Sequence, residues 1–106
     1  RNALIDPVKI TDYLLNLYHP DGRGKALFFI NLGFSMLRID EIKEALVRQA
    51  IDGDVIAEEN NLYGSKMVII GNLVCPDGKR IIIVTVWIYL HYERMIKFVT
   101  AYPFKK

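Results

Sequence analysis

Two apolar, β-branched segments joined by a short turn limit the possible folds of this chain more than any other feature. The segments are residues 66–74 and 80–90, and the sequence between them contains Pro76-Asp77-Gly78-Lys79. Proline and glycine at these positions favour a tight reversal, so the two segments are predicted to form an antiparallel hairpin. A third strand is predicted over residues 95–102, after a second tight connection at residues 91–94. The segment 80–90 is apolar on both faces in its middle, which predicts a central strand.

The first half of the chain has helical periodicity instead. A helix is predicted to start at Asp6-Pro7, to carry apolar residues at three- and four-residue spacing, and to end at residues 19–22. A second is predicted from Gly24 to Gly33, and a third from an Asp40 cap to about residue 51. A short strand at residues 55–58 follows. The expected fold is α+β, a single domain over residues 1–106, with about three N-terminal helices packed on a four-stranded antiparallel sheet.

Composition excludes several classes of protein. With 106 residues, 52% of them hydrophobic, the chain can build a core without disulfides or a structural metal. One cysteine, Cys75, and two histidines support neither an internal disulfide nor a Cys/His zinc site, and the acidic residues lack metal-ligand spacing. We therefore expect no metal and no cofactor. The longest apolar run, residues 81–90, is too short to cross a bilayer, and the lone cysteine fits a reducing, cytoplasmic compartment.

Hydroxyl and aromatic residues alternate on the last two predicted strands. Because strand side chains alternate between faces, one face of the third strand should carry Thr85, Trp87 and Tyr89. By the same rule, one face of the last strand should carry Phe98, Thr100 and Tyr102. Each set places a hydroxyl among aromatic rings on an expected sheet surface, which is the functional interpretation of the pattern. Threonines and aromatics also simply favour strands, so the pattern alone leaves both interpretations open.

A cationic turn precedes the second predicted helix. Lys25 lies in a Gly-Arg-Gly-Lys start beside Arg23 and shortly after His19. Cations and backbone N–H groups at a helix N-terminus suit an anionic oxygen, although the glycine spacing is not that of a P-loop. Alternatively, Arg23 and Lys25 are solvated surface charges, and His19 bonds to nearby backbone. Lys66 on the second long strand is likewise either a surface charge or a phosphate contact.

The ending Thr100-Ala101-Tyr102-Pro103 resembles the closing strand of ribonucleases in the barnase, EndoU, colicin-tRNase and RelE-like group. Over nearly its whole length, the chain also resembles an uncharacterised bacterial domain family, found alone or at the ends of polymorphic toxins. The residues that carry this second resemblance are His19-Pro20, Gly22-Arg23, Lys25-Ala26, Phe29, Gly33-Phe34, Tyr63-Gly64, Gly71, Pro76-Asp77-Gly78, Val86-Trp87 and the Thr-Ala-Tyr-Pro end.

These resemblances imply a metal-independent endoribonuclease toxin that is neutralised by a small antitoxin or immunity protein. RNA would be cleaved by attack of the ribose 2′-OH, which leaves a cyclic phosphate. The implied catalytic residues are His19, Lys25, Thr100 and Tyr102, and the implied substrate contacts are Arg23, Lys66, Thr85 and Trp87, with Trp87 stacking on a base. EndoU enzymes use two histidines and a lysine. Here only His19 and Lys25 are candidates, because His91 lies in a distant turn.

Two other functions remain open at this stage. The chain could be a non-enzymatic interaction module that binds a protein through Trp87, Tyr102 and the last strand. It could also bind a small molecule in a pocket between helices and sheet. The enzyme interpretation requires Lys25, His19 and Thr100 to lie within hydrogen-bonding reach of one another or of one intervening water. Burial of the Thr100 face by helices would count against it.

Overall fold

The computed structural model describes residues 3–4 and 23–104. Its elements are β1 (Ala3–Leu4), α1 (Arg23–Asn31), a 3-10 helix (Met36–Arg38), α2 (Ile39–Asp52), β2 (Asp54–Asn60), β3 (Gly64–Val74), β4 (Arg80–Leu90) and β5 (Met95–Pro103). The α+β class and the four antiparallel strands are confirmed. The predicted count of about three helices is not confirmed, since the described residues contain two α-helices and one 3-10 helix. The first predicted helix lies outside the described residues, and no helix within them is long and apolar enough to cross a membrane.

The strands form one sheet in the order β1-β5-β4-β3-β2. β4 lies between β3 and β5, as its doubly apolar sequence predicted, and the strands from β2 to β5 are antiparallel. β1 adds a fifth strand by pairing in parallel with β5, Ala3 opposite Ile96 and Leu4 opposite Lys97. This pairing was not predicted, because a two-residue strand has no periodicity to detect.

Helix α2 covers one face of the sheet through a buried stripe of Ile42, Ala45, Leu46 and Gln49. The stripe follows the three- and four-residue spacing expected of an amphipathic helix. The predicted Asp40 cap is wrong, because α2 starts at Ile39 and Asp40 lies in its first turn. Ser35 instead caps the preceding 3-10 helix, its Oγ accepting a hydrogen bond from the Leu37 N–H at 3.1 Å, and that helix continues into α2.

A buried polar network joins α2 to the middle of the sheet. Gln49 is fully buried, and its Nε2 donates to the carbonyl oxygens of Ile69 at 3.3 Å and Ile83 at 3.1 Å. Its Oε1 accepts from Thr85 Oγ1 at 2.7 Å, and Thr85 Oγ1 accepts from Trp87 Nε1 at 2.8 Å. Each polar group that α2 buries here is therefore satisfied, as a buried amide requires.

This network corrects two of the proposed substrate contacts. Thr85 is 0% exposed and Trp87 is 1% exposed, and both lie against α2 rather than on an open surface. The Trp87 ring packs edge-on against Phe98, with ring centroids 5.3 Å apart. A base cannot stack on a ring that the core already covers, so Trp87 and Thr85 serve the core in this structure.

Cys75 belongs to the same core cluster as Trp87 and Phe98. Burial raises the pKa of its thiol, and the nearby Asp77 carboxylate raises that pKa further. A buried thiol with a raised pKa is a poor nucleophile. Cys75 therefore acts as a small apolar side chain.

Candidate functional site

A β-bulge in β5 decides which side chains leave the core. The register pairs Trp87 with Phe98 but Val86 with Thr100, which leaves Val99 without a partner on β4. An extra residue reverses the alternation of side chains, so Phe98 faces α2 while Thr100 lies on the opposite face. The prediction that Phe98 shares a face with Thr100 and Tyr102 is therefore wrong. The bulge keeps the Phe98 ring on the α2 side of the sheet and places the side chains of Thr100 and Tyr102 on the other side.

Lys25 of α1 contacts this hydroxyl-bearing face. Its Nζ donates a hydrogen bond to Thr100 Oγ1 at 3.0 Å, although the two residues are 75 positions apart in sequence. The same Nζ lies 5.9 Å from the centroid of the Tyr102 ring. Lys25 and Thr100 are both half-buried, and Tyr102 is exposed. The required proximity of Lys25 and Thr100 is thus observed. Thr100 is not fully buried, although Val84 and Val86 on the same face are only 4% and 6% exposed.

A cavity of about 760 Å³ opens beside this pair. It is lined by Gly24, Lys25, Ile56, Val84, Tyr102, Pro103 and Phe104. Its volume lies within the range of about 300–1,000 Å³ that is usual for small-ligand sites. The Lys25 ammonium and the Tyr102 hydroxyl are the polar side-chain groups of the described lining, and the remaining walls are apolar. Such a cavity suits a ligand with one anionic end and a flat apolar body.

Three lining residues had no prior indication in the sequence. Ile56 is the unpaired residue of a second bulge, which lies between Val55 and Ala57 in β2. Phe104 follows the predicted end of the last strand, yet its N–H still donates to the Ile82 carbonyl at 3.4 Å. Val84 lies opposite Tyr102 in the sheet register. Bulge positions and strand ends depend on pairing between distant segments, so local periodicity does not reveal them.

The remaining candidate residues either lie away from the cavity or fall outside the described part of the chain. Lys66 is exposed on β3 opposite Ile88, and it does not line the cavity. His91 lies in the β4–β5 turn, with its ring 5.7 Å from the Tyr89 ring, as the sequence placed it. Arg23 is the first residue of α1, but its side chain and the whole of His19 lie outside the described part of the chain.

The chemistry that the Lys25–Thr100 pair offers is anion binding. The Lys25 ammonium carries a positive charge and donates a hydrogen bond to Thr100 Oγ1. The hydroxyl accepts that bond and has a hydrogen of its own to donate. A positive charge beside a hydroxyl suits the oxygens of one phosphate. The described lining contains neither a carboxylate nor an imidazole, so a general base would have to come from elsewhere.

Comparison with known proteins places the chain in a family. Residues 1–105 match a family model described as "Domain of unknown function (DUF6883)". The chain belongs to the DUF6883 family. No protein with a curated description matches the sequence.

A solved structure shares the fold of this DUF6883 domain. It is a chain of a contact-dependent growth inhibition toxin–immunity protein complex from Klebsiella pneumoniae 342. The TM-score is 0.75 at 20% sequence identity, and the match covers 99% of this chain and 96% of the other. The two chains therefore share their whole architecture, whereas the low identity carries no residue-level function across.

Proposed function

We propose that this DUF6883 domain is a metal-independent endoribonuclease of the bacterial toxin type, neutralised by a small partner protein. The observation that carries the proposal is the hydrogen bond from Lys25 Nζ to Thr100 Oγ1 at the edge of an open cavity. A cation and a hydroxyl brought together from distant parts of the chain, on the sheet face opposite α2, suit a phosphodiester. The whole-chain fold match to a toxin–immunity complex supports the toxin role.

The reaction requires a general base, a general acid and a group that stabilises developing negative charge. The ribose 2′-oxygen attacks the adjacent phosphorus and loses its proton to a base, and the bond from phosphorus to the 5′-oxygen breaks as that oxygen gains a proton. The products are a 2′,3′-cyclic phosphate and a 5′-hydroxyl. Lys25 and Arg23 stabilise the negative charge that develops on the phosphoryl oxygens, and Thr100 positions one of those oxygens. His19 serves as the base or the acid, and the Tyr102 hydroxyl donates a further hydrogen bond.

The exposed edge of the sheet favours a second candidate function, a non-enzymatic protein-interaction module. Every residue of β2 is exposed, and within the described strands β2 has a neighbour on one side only. Val55 and Ile56 are 54% and 56% exposed there, so the edge combines unpaired backbone groups with apolar side chains. Such an edge can accept a strand from another protein. This edge differs from the binding surface first expected around Trp87, Tyr102 and the last strand, because Trp87 is buried and takes no part.

Expression in bacteria tests the proposed function. Induction of the wild-type domain is expected to slow growth and to produce discrete RNA fragments on a total-RNA gel, with 5′-hydroxyl ends by end mapping. Thr100→Val keeps the shape of the side chain but removes the hydroxyl that meets Lys25, so it is expected to abolish both effects. Growth inhibition without RNA fragments, equal for wild type and Thr100→Val, would favour the interaction module instead.

A further inference from the structure

We infer that the cavity beside Lys25 is a nucleotide subsite that holds one unpaired base by stacking, against Tyr102 and Phe104, with the phosphate toward Lys25 and Thr100. This inference rests on the proposed function and names its substrate class as single-stranded RNA. It assigns binding roles to Phe104 and Ile56, which had no predicted function.

Two exposed rings lie at the same end of β5. Tyr102 and Phe104 are 37% and 40% exposed, and both line the cavity. They are two residues apart, which in extended chain corresponds to roughly 7 Å. A planar base needs about 3.5 Å of van der Waals separation on each of its faces, or about 7 Å in total. The spacing of these side chains along the strand therefore matches the thickness of one inserted base.

The other walls favour a base over a charged or hydrogen-bonding ligand. Val84 lies beside Tyr102 in the sheet, and Ile56 reaches the cavity from β2, where its bulge position leaves it without a strand partner. No side-chain amide or carboxylate occurs among the described lining residues. Among these residues Lys25 and Tyr102 carry the polar side-chain groups that could contact a base edge, whereas stacking tolerates any base. The structure accordingly favours weak base selectivity.

The position of Lys25 orients the nucleotide. Its Nζ, which donates a hydrogen bond to Thr100, belongs to a residue of the cavity lining and lies 5.9 Å from the Tyr102 ring centroid. A phosphate bound to Lys25 and Thr100 therefore places the attached nucleoside near Tyr102. A base paired in a duplex is stacked on its neighbours and cannot enter, which limits this subsite to unpaired RNA.

Calorimetric titration of the purified chain tests the subsite with 3′-AMP, 3′-UMP and inorganic phosphate. Both nucleotides are expected to bind with similar affinity, and each more tightly than inorganic phosphate. Phe104→Leu removes the ring but keeps an apolar side chain, and it should weaken nucleotide binding by roughly 5- to 100-fold, the range for one stacked base. Phe104→Trp should restore binding. Tyr92→Leu, which removes a ring that is 79% exposed in the β4–β5 turn, should bind like wild type.

A pair of charge-introducing variants tests the opposite wall. Ile56→Glu places a carboxylate in the cavity lining and should weaken nucleotide binding, because the new charge repels the phosphate. Leu62→Glu introduces the same charge at a residue that is 92% exposed in the β2–β3 loop, and it should leave binding unchanged. Equal effects of both variants would show a general change of surface charge and contradict the subsite.

The outcomes separate this inference from the proposed function. Nucleotide binding that depends on the Phe104 ring, in a protein that cleaves no RNA, would support the subsite and overturn the ribonuclease. RNA cleavage with equal nucleotide binding by Phe104→Leu and Phe104→Trp would support the ribonuclease and overturn the subsite. Nucleotides that bind no more tightly than inorganic phosphate would also overturn the subsite. Melting temperatures within a few degrees of wild type establish that each variant is folded.

Discussion

Replacing Lys25 with methionine is expected to lower the rate of RNA cleavage by about 10²- to 10³-fold, the usual effect of removing one donor that stabilises a developing negative charge. Methionine is about as long as lysine, so the packing of the aliphatic stem is kept while the charge and the donors are lost. Lys25 is half-buried at the cavity edge, and its hydrogen bond to Thr100 is worth only about 1–3 kcal/mol. The protein should therefore remain folded. The measurement is the single-turnover cleavage rate of a labelled RNA.

A matched lysine provides the control for this prediction. Lys79→Met makes the same change in the β3–β4 hairpin, where the Lys79 side chain is 84% exposed and lies 3.8 Å from Asp77. We expect it to cleave RNA like wild type, since exposed ion pairs of this kind contribute little. If Lys25→Met and Lys79→Met cleave RNA equally well, Lys25 has no role in the chemistry.

Replacing Gln49 with leucine is expected to lower the free energy of unfolding by about 3 kcal/mol, the largest effect on stability that we predict from a single substitution. Leucine fills most of the same volume, but it leaves the Thr85 hydroxyl and the carbonyls of Ile69 and Ile83 without their Gln49 partners. Buried polar groups that lose a partner bear their full desolvation cost. Urea unfolding, followed by circular dichroism, measures the change.

Two further variants identify the cause of that loss. Arg48→Leu alters the neighbouring residue of α2, which is exposed, and should change the free energy of unfolding by less than about 0.5 kcal/mol. The double variant Gln49→Leu/Thr85→Val should lose less stability than the sum of the two single changes, because both remove the same Gln49–Thr85 hydrogen bond, while Thr85→Val also costs Trp87 Nε1 its acceptor. A double variant that is less stable than the sum of the single changes would contradict the role assigned to the network.

The main elements of the fold followed from local patterns. Apolar periodicity predicted α2 and the long strands, and turn chemistry at residues 76–79 predicted the β3–β4 hairpin with its antiparallel pairing. These elements depend on residues that are close in sequence, so local periodicity and turn residues predict them.

The site was only partly predictable, because its geometry depends on register. Lys25 and Thr100 were identified as candidates from their residue types and from a family resemblance, and their contact is observed. The bulge at Val99 could not be predicted, and it reversed the expected side of Phe98. Trp87 was assigned to a base from the family resemblance, whereas the partners that bury its ring come from α2 and β5.

The central claim is that Lys25 and Thr100 bind a phosphodiester whose cleavage needs no metal ion. The most direct test incubates the purified chain with single-stranded RNA in excess EDTA and determines the ends of the products. The account predicts cleavage by the wild type, with 2′,3′-cyclic phosphate and 5′-hydroxyl ends, and loss of cleavage in Lys25→Met. Intact RNA with the wild type, or 5′-phosphate ends on the fragments, would contradict it.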